Sequence, residues 1–355
     1  MDKGRQAALV SEGSSPAPRR RGERRPGAQR LGEGQRKRSA GARSGERRSG
    51  EARIVSPRCF ADRLLETVES KRSHVVVGFD PALESLPPEL VASRPREDYH
   101  CSEEWQAALY RDFLRPLAEA LVSEAVAVKI QVAYFEALGG PGYKLYEELV
   151  AFCRELGYLV IADVKRGDIG STAEAYATAH LDRTGADAIT VNPYFGTDGV
   201  EPFLKRARDC GKGVFVLVKT SNPSSAEIQD VVLQGGEPLY ARVAALVRQW
   251  GAGTEGEYGY CSVGAVVGGT HPEQGAWLRT VLPGVPFLVP GYGTQGARAE
   301  DIARVFDQTG SGAVVNSARA ILYAYRSRPE CSWLDAAVAE AREMRAALWR
   351  AAGRA

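Results

Sequence analysis

The 355 residues carry 46 Lys and Arg against 44 Asp and Glu, and 44% of them are hydrophobic, enough core material for one large domain or two small ones. The near balance hides an asymmetry: residues 1–50 hold 14 basic and 5 acidic side chains, a net of +9, so the whole-chain charge of +2 leaves −7 on residues 51–355. A nucleic-acid-binding core is therefore not expected, and with no apolar run near the roughly 18 residues of a membrane span and no apolar secretory segment, a cytoplasmic protein without membrane partners is.

Residues 1–52 are rich in Arg, Gly, Ser and Pro, hold no aromatic side chain, and bury too little apolar surface to offset chain entropy, so they are expected to form a disordered basic extension. Residues 53–355 are expected to form the folded domain. It begins with helical spacing over Cys59–Lys71 and a β-branched run, Val75–Asp80. Further apolar runs follow at Ala125–Gln131, Tyr158–Lys165, Ala186–Asn192, Gly213–Lys219, Ser262–Gly268, Pro286–Pro290 and Gly312–Asn316, eight in all. Helical spacing recurs between them, as in Glu104–Leu121, Tyr143–Leu156, Thr172–Thr184, Leu239–Trp250 and Glu300–Thr309.

Continuous rather than alternating apolar strands are those covered on both faces, and eight successive β/α units close most naturally into a (β/α)8 TIM barrel, with an open doubly wound sheet as the alternative. Two connections exceed what a barrel needs, Ala82–Glu103 and Ser221 to about Gly236, and long loops at the C-terminal strand ends usually cover a site. The six cysteines form no Cys-x-x-Cys pair, which suggests neither a zinc site nor a disulfide framework.

The strand ends carry the chemistry. Asp80, Lys129, Asp163, Lys165 and Lys219 are five charged groups expected on one rim. Asp163 and Lys165, two apart on a strand, should share a face and pair, with Lys129 reaching the same carboxylate and Asp168 extending the chain; a buried structural ion network is the competing reading. After strand seven comes Pro290-Gly-Tyr-Gly293-Thr-Gln295-Gly296, and Asn316-Ser-Ala-Arg319 follows strand eight. This is where barrels of this kind bind phosphate. An ammonium beside Asp163 disfavours a divalent metal there.

The run Asp163-Val-Lys165-Arg-Gly-Asp168-Ile-Gly-Ser-Thr172 resembles the signature of orotidine 5′-phosphate decarboxylase. The likeness extends from Val75 to Tyr325 and takes in Gly78-Phe-Asp80-Pro81, Lys129, Thr220-Ser221-Asn-Pro223, the glycine-rich loop and Ala318-Arg319. Asn192-Pro-Tyr-Phe-Gly196 and the long loop after strand five resemble the longer bacterial type 2 subgroup, and no phosphoribosyltransferase motif accompanies them. The resemblance implies a cofactor-independent enzyme in which Lys165 protonates C6 of the pyrimidine and Asp163, Lys129 and Asp168 complete a charge network. It further implies Asp80 and Lys129 at the ribose, Ser221 at the pyrimidine edge, and Gln295 and Arg319 at the phosphate beside Gly293. Asp168 and Thr172 would cross a homodimer interface. Related sugar-phosphate decarboxylases and hexulose-phosphate synthases share the Asp-x-Lys-x-x-Asp pattern but use magnesium; Ser221 and the Arg166–Gly170 continuation favour the nucleotide.

Overall fold

The eight apolar runs become eight parallel strands in the computed structural model, which describes residues 58–354. They are β1 (Val75–Phe79), β2 (Ala127–Gln131), β3 (Leu159–Arg166), β4 (Ala188–Val191), β5 (Gly213–Lys219), β6 (Val263–Val267), β7 (Phe287–Pro290) and β8 (Ala313–Ser317). Each pairs with its sequence neighbour, and β1 closes the ring on β8 through Val75↔Val315, Val76↔Asn316 and Val77↔Ser317, which excludes the open sheet. The extension expected over residues 1–52 lies outside the described residues.

Alternation along each strand divides the apolar side chains between two cores. Val76, Ala127, Ile161, Ala188, Phe215, Val266, Leu288 and Val314 belong to one buried cluster inside the barrel. The helix Phe60–Lys71 packs against that cluster through Phe60, Leu64 and Val68, its Phe60 ring meeting Phe215 edge-on at 5.9 Å. The other faces, including Val75, Val77, Ile189 and Val214, pack with the surrounding helices. The barrel is thus filled at its N-terminal end, and a ligand can enter only from the opposite rim.

Some connections depart from the sequence expectation. The helix expected over Glu300–Thr309 is only Ala299–Ile302 with one 3-10 turn to Val305, because Asp307 takes the N–H groups of Thr309 and Ser311 into a turn of its own. The stretch Thr172–Thr184 is an α-helix over Gly170–Ala177 that widens into a π-helical segment, Thr178–Arg183. Both long loops carry structure: Pro88–Ala92 in the first and Ala226–Gln229 in the second are short helices.

Candidate active site

One step up each strand from the interior cluster, the side chains turn polar. Two residues beyond Ala127 stands Lys129, beyond Ile161 Asp163, beyond Ala188 Thr190, and beyond Val314 Asn316. All four line a cavity of about 440 Å³ at the C-terminal rim, together with Asp80, Gln131, Tyr134, Lys165, Thr220, Ser221, Gln295 and Arg319. Leu217, Val266 and Leu288 supply an apolar wall. A cavity with an apolar floor and convergent polar groups is suited to a flat, hydrogen-bonding ligand.

Asp163 is the hub. Its Oδ2 accepts from Lys129 Nζ at 2.6 Å and Gln131 Nε2 at 3.1 Å, and its Oδ1 from Lys165 Nζ at 2.6 Å and Thr190 Oγ1 at 2.9 Å. Burial pushes the Asp163 carboxyl up, but Lys129 and Lys165 outweigh it and hold the group well below the usual carboxylate range. Burial likewise lowers the Lys129 ammonium, yet Asp163 and Asp80 more than compensate and keep it above the usual lysine range. The Lys129 side chain is 6% exposed whereas that of Lys165 is 45% exposed, so one ammonium is locked in the wall and the other faces the cavity.

Among the described residues, two acceptors in the lining of this cavity are buried without a hydrogen-bond partner, Asp80 Oδ1 and Asn316 Oδ1. Lys129 Nζ stands 3.8 Å from Asp80 Oδ1, close enough for attraction and too far for a hydrogen bond. Such orphaned acceptors are costly unless a ligand's hydroxyl or N–H groups complete them.

At Lys165 the backbone leaves the extended region for φ +46°, a left-handed conformation that costs a residue with a Cβ about 1–2 kcal/mol. The β3–β4 ladder is irregular there: Ala162 pairs with Ile189 but Arg166 with Val191, so four steps along one strand match two along the other. The N–H groups of Val164 and Lys165 both donate to Thr190 Oγ1 at 3.0 Å.

Gln295 and Arg319, from the segments following β7 and β8, line the same cavity. The glycine-rich loop folds back on itself, with Gly293 N–H donating to Ala297 O and Ala297 N–H to Gly291 O. Gly291 adopts φ +106°, and a Cβ there would sit 3.1 Å from Gln295 Oε1, so glycine is what lets this side chain lie against the loop. Gly293 borders an adjoining groove rather than the cavity itself, with its own N–H already engaged.

Besides Gly293, three of the residues singled out above do not line this cavity. Lys219 is fully buried on the far side of β5, bonded to Asp230 at 2.7 Å and Ser225 at 3.3 Å; an irregularity between Leu217 and Lys219 in the β5–β6 register turns it out of the barrel interior. Asp168 accepts the N–H of Ile169 within its own loop, and Thr172 is exposed on the following helix; neither lines the cavity of its own chain. Gln131, Tyr134 and Thr190 also line the cavity, beyond the residues expected from the strand ends. Gln131 lies two residues beyond Lys129 and Thr190 is polar within an apolar run, so period-two alternation was the available signal.

Residues 74–332 match the model of the Orotidine 5′-phosphate decarboxylase / HUMPS family. The Rhodopirellula baltica orotidine 5′-phosphate decarboxylase is 41% identical over 292 residues, spanning 78% of this chain and 94% of that protein. The Caldicellulosiruptor bescii enzyme of the same name is 38% identical over 278 residues, covering 76% and 90%. Among solved structures, the Leishmania donovani OMP decarboxylase superposes with a TM-score of 0.65 at 31% identity, covering 82% of this chain and 99% of that one.

Proposed function

We propose that this chain, which belongs to the Orotidine 5′-phosphate decarboxylase / HUMPS family, converts orotidine 5′-phosphate to UMP and carbon dioxide in the cytoplasm, with Lys165 as the proton donor. The observation that carries this reading is the Lys129–Asp163–Lys165 chain, whose exposed ammonium faces a cavity that Gln295 and Arg319 also line. As the bond from C6 to the carboxylate breaks, its electron pair stays on C6 in the plane of the ring, where no π-system spreads it. A preorganised ammonium stabilises that charge directly. The Lys165 N–H bond then breaks as the C6–H bond forms, and the neutral amine regains a proton from solvent.

The remaining roles follow from position. Arg319 and Gln295 suit the phosphate, Ser221 and the apolar wall the pyrimidine, and the unpartnered Asp80 Oδ1 beside Lys129 a ribose hydroxyl. Binding energy from the phosphate can hold the reacting end in register. No cofactor is needed for this chemistry. A magnesium-dependent sugar-phosphate reaction fits the site poorly, since ammonium, amide and hydroxyl donors already occupy both oxygens of Asp163.

We further assign Asp168 and Thr172 to the site of a second subunit in a homodimer. Support comes from Ile169, Tyr194 and Phe195, which are 57%, 86% and 49% exposed beside the Asp168 loop, an apolar surface that suits an interface.

Purified protein should lower the ultraviolet absorbance of orotidine 5′-phosphate at an unchanged rate after chelator treatment; turnover lost on metal removal would refute the reading. Lys165→Ala should retain UMP binding and abolish conversion, and near-normal conversion would remove Lys165 from the role of proton donor.

A further inference from the structure

Building on the reaction proposed above, we propose that Thr190 is a positioning residue: its hydroxyl staples the irregular end of β3 and thereby sets the Lys165 ammonium on Asp163. A threonine hydroxyl offers one donor and two acceptor sites. In Thr190, 1% exposed, all three are filled: it donates to Asp163 Oδ1 at 2.9 Å and accepts the N–H groups of Val164 and Lys165 at 3.0 Å each. The carboxylate and the backbone of the proton donor are thus tied to one oxygen atom, which leaves the hydroxyl no capacity for a ligand.

The tie acts where the chain most needs it. In a regular strand Asp163 and Lys165 would stand about 7 Å apart along one face. Here the extra residues between Ala162 and Arg166 bend the strand, and Lys165 takes φ +46° with its Nζ 2.6 Å from Asp163 Oδ1. A left-handed lysine persists only where its surroundings over-determine it. Two N–H bonds to one buried oxygen on the neighbouring strand supply that constraint.

The test compares wild type with Thr190→Val, which removes the hydroxyl at nearly constant volume, and Thr190→Ser, which keeps it. Thr190→Val should lower kcat by about 100-fold, the scale of a displacement near 1 Å, with UMP binding within about threefold of wild type. Thr190→Ser should recover kcat to within about fivefold. Near-normal kcat in the valine variant, a parallel loss of UMP binding and turnover, or a serine variant as impaired as the valine one would each overturn the inference. A crystal structure of Thr190→Val should show Lys165 out of the left-handed region and its contact with Asp163 broken; an unmoved Lys165 is fatal to the idea even if turnover falls. Should the valine variant not fold, Thr190→Cys, with a weak acceptor of similar size, should fold and show the same displacement and kinetic split, and an unmoved Lys165 there is equally decisive. Wild-type protein that leaves orotidine 5′-phosphate untouched would remove the proposed reaction, whereas the crystallographic comparison would still decide whether Thr190 sets Lys165.

Discussion

Four donors converge on Asp163, two per oxygen, and two of them are ammonium groups. Asparagine in its place keeps the shape but removes the charge and turns one acceptor into a donor facing a cation. Lys129 would then remain buried with only Asp80, 3.8 Å away, to compensate it. Asp163→Asn should therefore destabilise the fold by about 3–5 kcal/mol in urea unfolding at pH 7. Because the folded-state carboxyl titrates below its unfolded counterpart, the charged form's contribution is complete above the unfolded value and lost only as pH falls through the folded one. The gap between variant and wild type should accordingly be the same at pH 5 as at pH 7, and a gap that closes at pH 5 would mean that Asp163 is not held ionised. The pairing of Asp163 with Lys165 was legible from their two-residue spacing at a strand end. The left-handed backbone that makes the contact was not, since it depends on a hydroxyl contributed by the next strand.

Strand positions could be read within about two residues because each is a short apolar run between turn signals, but strand irregularities could not. Lys219 shows the consequence. Regular alternation from Leu217 would send it into the barrel, whereas the register shift sends it outward to Asp230, Ser225 and the face of Tyr240. There it anchors the Ser221–Gly236 loop at its root, helped by Gln229, whose side chain accepts from Thr220 N–H and donates to Thr220 Oγ1. Since Thr220 and Ser221 line the cavity, loss of the anchor should be felt in ligand binding rather than at Lys165. Lys219→Met should raise KM roughly tenfold with kcat largely kept, the pattern of lost uniform binding, and should expose the loop to limited proteolysis. A fall in kcat at unchanged KM would place Lys219 in the chemistry after all.

At the scale of the whole molecule, the barrel works because one end is filled with hydrocarbon and the other with charge. Closure through β1 and β8 was predictable from eight repeated units, but the packing beneath them was not, and it introduces a pH sensitivity unrelated to the site. His74, immediately before β1, is buried between Phe306 at 4.5 Å and Trp349 at 5.5 Å; its Nδ1 lies 3.1 Å from Ala313 O and its Nε2 has no hydrogen-bond partner among the described residues. Burial pushes this imidazole down to about 4, from an ordinary value of 6.5. Between those two values the unfolded chain binds a proton that the folded one refuses, so stability is complete above about pH 6.5 and declines as pH falls towards 4. From pH 7 to pH 5 the decline due to His74 should be about 2 kcal/mol. His180, lowered to about 4 by burial and by Arg166, should add a term of the same sign. His74→Phe, which suits an aromatic surround, should flatten the slope of urea-unfolding stability against pH by that amount, whatever it does to the height of the curve. An unchanged slope would show that the imidazole titrates freely in the folded barrel. Acid should then weaken the fold from the histidine side at pH values where Asp163 is still ionised, so stability should fall between pH 7 and pH 5 while the Lys129–Asp163 pair stays charged.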